Sequence, residues 1–97
     1  MNDNEFEWDE AKNTANYAKH GVTFERARLV FADAFGVGGY DDRENYGEDR
    51  FTITGMVEGI LLFVAYTERG DRVRIITARQ ATKYEQDDYY QQNSQRP

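Results

Sequence analysis

Three β-forming runs separated by two glycine-containing turns fill residues 51–78, and they commit the chain to a fold built on a sheet. In the first run Phe51, Ile53 and Gly55 alternate with Thr52, Thr54 and Met56, the two-residue period of a strand with one face on a core. Glu58-Gly59 makes a turn, and Ile60 to Tyr66 follows as an apolar run of β-formers. Such a run suits burial on both faces, so it predicts the central strand of a meander. Thr67 to Arg72, with Gly70, forms the next loop, and Val73 to Ala78 reads as the third strand.

Around this meander the signals are mostly helical. Phe6-Glu7-Trp8 alternates as a short strand does, and Asp9 supplies an N-cap for a helix that runs to about Lys19 and ends at Gly21. Within it Ala11, Ala15 and Ala18 form a narrow face of small residues for close packing on a sheet, opposite Lys12, Asn13, Asn16 and Lys19. Thr23 caps a second helix, with Val22 and Ala27 placed as a hydrophobic staple and Val30 and Phe31 continuing the same side. Residues 35–40 are glycine-rich and read as a strand or a loop, and 41–49 as an acidic loop. Thr82 and Glu85 have capping-box spacing and open a last helix through about Gln91, with Tyr84, Tyr89 and Tyr90 as its contacts. The expected fold is α+β, in the order β-α-α-(β)-β-β-β-α, with the helices packed on one face of an antiparallel sheet.

No linker divides the 97 residues, so one domain is expected, with a core small enough to profit from a partner's added burial. Without cysteine and with a single histidine, neither disulfides nor a zinc site of ordinary composition is expected, and no cofactor is implied. No apolar run is long enough to span a bilayer, and the acidic amino terminus is unlike a signal peptide; a cytoplasmic protein is expected. The net charge of −6 runs against binding a phosphate backbone. The charge is uneven, however. Asp3, Glu5, Glu7, Asp9 and Glu10 make one acidic block, and Asp41, Asp42, Glu44, Glu48 and Asp49 make another against Arg43. Between residues 67 and 83 the balance reverses, with Arg69, Arg72, Arg74, Arg79 and Lys83 against Glu68 and Asp71. A basic patch on an acidic protein follows.

The opening Phe6-Glu7-Trp8-Asp9-Glu10-Ala11-Lys12-Asn13, followed by Asn16, Lys19-His20-Gly21-Val22 and Phe24-Glu25, resembles the amino-terminal signature of the BrnT family of toxins. Tyr66-Thr67-Glu68-Arg69-Gly70, then Arg74-Ile75-Ile76-Thr77-Ala78-Arg79, then Ala81, Glu85 and Tyr89 or Tyr90, is similar to the family's closing pattern in the same order. The chain departs from relatives at Asp33-Ala34, where they commonly have Asp-Pro, and in the acidity of its last helix. The resemblance implies a RelE-like ribonuclease fold, RNA degradation that arrests translation and growth, and neutralisation by a BrnA-like antitoxin with a ribbon-helix-helix domain. It further implies a two-plus-two heterotetramer that reaches promoter DNA only through the antitoxin.

Cutting RNA without a metal needs a base for the 2′-hydroxyl, a donor for the leaving 5′-oxygen and fixed positive charge for the phosphorane. His20 is the one side chain whose ordinary pKa suits proton transfer near neutrality, but a histidine before a terminal glycine is also a common helix cap. Arg69, Arg74 and Arg79 offer planar donors for phosphate and can share one face; equally, they can be a solvated face or pair with the acidic blocks. Arg79 is the first candidate. Lys19 can stabilise the phosphorane or donate a proton, whereas Lys12 on the same face reads as solvated. A function of another class fits the acidic surface: a non-catalytic module that binds a DNA-binding partner and co-represses transcription with it.

Overall fold

The structure, a computed structural model, describes residues 5–42, 45 and 47–94. Asp3, Arg43 and Glu44 of the two acidic blocks lie outside the described residues. Strand β1 (Phe6–Glu7) leads into α1 (Glu10–His20) and the single turn α2 (Phe24–Ala27), which tightens into a 3-10 helix over Arg28–Ala32. Then come β2 (Val37–Tyr40), β3 (Phe51–Val57), β4 (Ile60–Arg69), β5 (Arg72–Gln80) and α3 (Lys83–Ser94). The order along the chain is the one expected, with the open choice at residues 35–40 resolved as a strand. The strands lie side by side as β1-β5-β4-β3-β2, so β4 is central.

Two features correct the expected architecture. The sheet is mixed, because β1 runs parallel to β5, pairing Phe6 with Val73 and Glu7 with Arg74. The helices are also not all on one face. Adjacent residues of a strand point to opposite sides, and Leu62 belongs to the core beneath α2 and the 3-10 helix whereas Leu61 packs with Tyr89 of α3. The larger core holds Val22, Phe24, Ala27, Val30, Val57, Leu62, Val64, Ile75 and Ala78, flanked by Phe6, Trp8 and Phe31. The smaller one holds Leu61, Ala81 and Tyr89 against Val37 and Met56. Burial on both sides of β4 is what its unbroken apolar run requires.

Local chemistry explains the element boundaries. The Asp9 carboxylate accepts from the amides of Ala11 (2.8 Å) and Lys12 (3.2 Å), which starts α1. Gly21, at φ 72°, ends it by donating to the Tyr17 carbonyl at 2.8 Å. Thr23 caps α2 through the Arg26 amide, and the staple residues Val22 and Ala27 are both buried. The β3–β4 hairpin turns on Glu58 (φ 52°) and Gly59 (φ 85°), the paired positive φ of a tight two-residue turn. Thr82 and Glu85 close the anticipated capping box, each amide donating to the other side chain.

The alanine face of α1 does not pack. Ala11, Ala15 and Ala18 are exposed, and the buried residues of the helix are Asn13 and Asn16. Helix α1 lies along the outer edge of β5, where backbone groups have no neighbouring strand and demand a polar partner. Asn16 supplies it: Nδ2 donates to the carbonyls of Val22 (2.9 Å) and Ala78 (2.8 Å), while Oδ1 accepts from the Ala78 amide and the Thr77 hydroxyl. Asn13 plays the same part locally, accepting from the Phe24 amide and donating to Glu10 and Glu25. On the other edge Asp33 accepts from the amides of Phe35 and Met56 and from the Tyr89 hydroxyl, so its side chain holds the turn at Asp33-Ala34.

Candidate functional site

The arginines of the basic segment share the face opposite α1 and α2, and an irregularity in β5 puts them there. The turn after β4 pairs Arg69 with Arg72 and Thr67 with Arg74. Continued without interruption, that register would set Phe63 against Ala78. Between Ala65 and Tyr66 it shifts, because Ile76 is an extra residue on β5, and Arg79 comes opposite Phe63 instead. Residues directly across a ladder point to the same side, so Arg69, Arg72, Arg74 and Arg79 join Phe63, Ala65 and Thr67 on one face. From the Arg69/Arg72 pair to Arg79 this stripe is about 20 Å long at the usual rise of a strand.

Each of these arginines meets a carboxylate. Arg79 holds Glu85 in a two-pronged contact, Nη1 to Oε1 at 2.8 Å and Nη2 to Oε2 at 2.9 Å, and its guanidinium lies 4.3 Å from the centre of the Phe63 ring. Arg74 pairs with Glu7 at 2.9 Å, across the parallel β1–β5 ladder, and Arg72 reaches the other oxygen of Glu7 at 3.2 Å. Arg69 contacts Glu48 at 3.4 Å. Burial alone pushes the Glu85 carboxyl up. The Arg79 bonds, the Thr82 amide and the guanidinium charge outweigh that and hold it below the ordinary carboxylate range.

His20 and Lys19 stand apart from the stripe. His20 opens into a depression of about 250 Å³ shared with Gly21, Val22, Arg26, Ile60, Leu62 and Gln80. Leu62 and Gln80 pair across the ladder and face the helix-covered side, so His20 is across the sheet from Arg79. Lys19 and Lys12 are exposed on α1. Of the five residues singled out, the structure therefore brings Arg69, Arg74 and Arg79 onto one face and leaves His20 across the sheet and Lys19 exposed on α1. Tyr66 is packed between Phe31 (4.9 Å) and Phe51 (5.7 Å), and burial, then the nearby Glu68 charge, raises its hydroxyl pKa.

Sequence reasoning missed Phe63 and Arg72 as members of the face. Arg72 belonged to the basic segment and needed only the hairpin register to place it. Phe63 gave no signal of its own, since it sits within an apolar run. Among the described residues no three His, Cys, Asp or Glu side chains gather as a metal site, and no helix is long and apolar enough to cross a membrane.

The arginine face thus lies on a small mixed sheet, with α2 behind it and α3 at one end of it, and a family match gives the class. Residues 8–85 match the family described as the ribonuclease toxin of a type II toxin–antitoxin system. That family is BrnT, and the chain belongs to it. The match begins at Trp8 of the core and ends at Glu85, the carboxylate on Arg79. No curated protein matches the chain.

Proposed function

We propose that the protein is a RelE-like endoribonuclease toxin that cuts messenger RNA in the cytoplasm, thereby stopping translation and growth, and that a BrnA-like ribbon-helix-helix antitoxin neutralises it. The observation that carries this reading is the Arg79–Phe63–Glu85 unit: a fork already making two parallel bonds to a carboxylate is set to do the same for a phosphodiester, beside an aromatic ring. The 2′-hydroxyl attacks the adjacent phosphorus and loses its proton, the 5′-oxygen leaves with one, and a 2′,3′-cyclic phosphate remains. Arg79 and Arg74 stabilise the charge that builds on the phosphoryl oxygens. Arg69 and Arg72 hold the backbone further along the strand. Arg79 and Gln80 are neighbours that face opposite sides, so His20 would meet the RNA only where it turns round the end of β5, as a contact to its backbone away from the phosphate held by Arg79. The antitoxin complex, with two copies of each protein, contacts promoter DNA through the antitoxin.

The ion pairs favour a second reading. With every arginine of the stripe opposed by Glu7, Glu48 or Glu85, the face is nearly neutral, as suits a non-catalytic module that binds a DNA-binding partner and co-represses with it. Purified protein and its Arg79→Ala variant, incubated with messenger RNA, separate the two. Cyclic-phosphate ends from the folded wild type but not the variant support cleavage, whereas intact RNA with both leaves only the binding module.

A further inference from the structure

The sheet closes its edges unevenly. Strand β1 covers β5 only at Val73 and Arg74, and further along Asn16 occupies both backbone groups of Ala78. Strand β2 covers β3 only from Phe51 to Thr54, and beyond it the Met56 amide donates to Asp33 at 2.7 Å. In both places a side chain stands in for a missing strand. The outer edge of β2 has no such plug among the described residues. The Asp41 amide donates to the Arg50 carbonyl at 2.8 Å, which fixes the alternation of the ladder. Val37 and Gly39 therefore turn their backbone groups to β3, while Gly38 and Tyr40 turn theirs outward.

Edge strands are usually guarded by lysine, proline or a bulge. Val37-Gly38-Gly39-Tyr40 has none of these; Gly38 and Gly39 are exposed, and among the described residues no side chain bonds to their outward backbone groups. Residues 41–49 follow directly, with five acids against Arg43; Asp41 is buried and Glu48 is paired with Arg69 and Arg50, so among the described residues Asp42 and Asp49 carry the exposed negative charge beside β2. We propose that β2 is a docking edge for an extended basic segment of the protein partner, which joins the sheet as a further strand beside Gly38 and Tyr40. The acidic segment selects the occupant. RNA would meet like charge, and a second copy paired antiparallel would set each acidic segment beside residues 33–36 of the other, which carry no cation, whereas a basic peptide is drawn in. The proposal rests on the toxin–antitoxin reading only for the existence of a partner.

The test uses the whole chain and two synthetic peptides, acetyl-Lys-Val-Arg-Val-Lys-Val-amide and its counterpart with glutamate at every charged position. The basic peptide is expected to slow amide exchange at Gly38 and Tyr40 by about tenfold or more, and the acidic one to leave it unchanged. Gly38→Pro removes an outward amide without touching the β3 ladder and should abolish the effect at an unchanged melting temperature; Asp42→Lys should weaken it. No protection by the basic peptide, equal protection by both, protection by oligouridylate, or concentration-dependent protection without peptide would each overturn the proposal, the last assigning the edge to a second copy. RNA cleavage is scored separately. Lost protection with intact cleavage rejects the docking edge alone, and lost cleavage with intact protection rejects the ribonuclease alone.

Discussion

The side-chain amide of Asn16 bonds both backbone groups of Ala78, donating to the carbonyl at 2.8 Å and accepting from the amide at 3.2 Å. A carboxamide has the donor and acceptor of a peptide group, so one helical residue does the work of a short neighbouring strand. Asn16→Ala would leave the carbonyls of Val22 and Ala78 buried without that partner. A loss of about 3 kcal/mol is expected, from stranding several buried polar groups. At the usual size scaling this lowers the melting temperature by roughly 10–20 °C. Asn16→Asp should be no better at neutral pH, because it sets carboxylate oxygens against two carbonyls. A thermal melt that moved by less than a few degrees for both variants would contradict the role.

Gly55 lies directly under the 3-10 helix. A Cβ there would come 2.9 Å from the Val30 carbonyl oxygen and 3.0 Å from the Val30 Cβ, so Gly55→Ala must push that helix off the sheet. The expected cost is about 1–3 kcal/mol, as for overpacking elsewhere. Denaturant unfolding measures it. Combining the change with Val30→Ala should not relieve the clash, since the carbonyl oxygen, Cα and Cβ of Val30 that an added Cβ would meet all remain in alanine.

Arg79 is expected to be the most sensitive position for cleavage. Arg79→Ala should reduce the rate by about 100-fold or more, the usual effect of removing a preorganised donor. Arg79→Lys should rescue little, because an ammonium reproduces neither the planar fork nor the stack on Phe63. Glu85→Gln should tighten binding of a non-cleavable 2′-deoxy oligonucleotide, since phosphate no longer competes with a carboxylate for Arg79. Tighter binding with a small fall in melting temperature, from the altered capping box, is the signature. Unchanged affinity would show that Glu85 does not compete with phosphate for that guanidinium.

Acid should detach α3 before it unfolds the rest. Burial raises the Asp33 carboxyl, but the Met56 amide, the Tyr89 hydroxyl and the Phe35 amide outweigh it, and its pKa falls below 3.8. Glu85 is likewise held below 4.5. Both are depressed in the folded state, so their contribution is complete above the unfolded values and is lost as pH falls through the folded ones. Tyr89 of α3 donates to Asp33, and Glu85, itself on α3, accepts from Arg79 of β5. Amide signals of α3 should therefore shift or broaden as the pH falls below the ordinary carboxylate range, ahead of those of β4. In Asp33→Asn the signals of α3 should be perturbed already at neutral pH and the acid response reduced.

Much of the fold was legible because its signals are local. The meander, the caps at Asp9, Thr23 and Thr82, and the turn at Glu58-Gly59 each depend on residues a few positions apart. The contact of β1 with β5 is two residues long and joins segments more than sixty apart, so no periodicity announces it. Helix α1 offered two faces, and an apolar criterion favours alanines, while the site it occupies needs hydrogen bonds. Helix α3 has little amphipathic pattern, with Tyr89 its one buried residue, which is why its side of the sheet could not be read. The arginines of the candidate site were visible as charges; their carboxylate partners come from β1, the acidic segment and α3, and only the folded chain brings them near.

The extra residue at Ile76 makes the length of the segment between Arg74 and Arg79 as important as its composition. In a strand of period two, residues five apart face opposite ways, and the added position restores their common phase. Substitutions within 75–78 that keep the core would leave the basic face intact. Removing one residue would instead rotate Arg79 beneath the helices or turn Arg74 there. A single-codon deletion is thus expected to do more harm here than any single exchange of side chain, and this stretch of the chain should vary in letters but not in number.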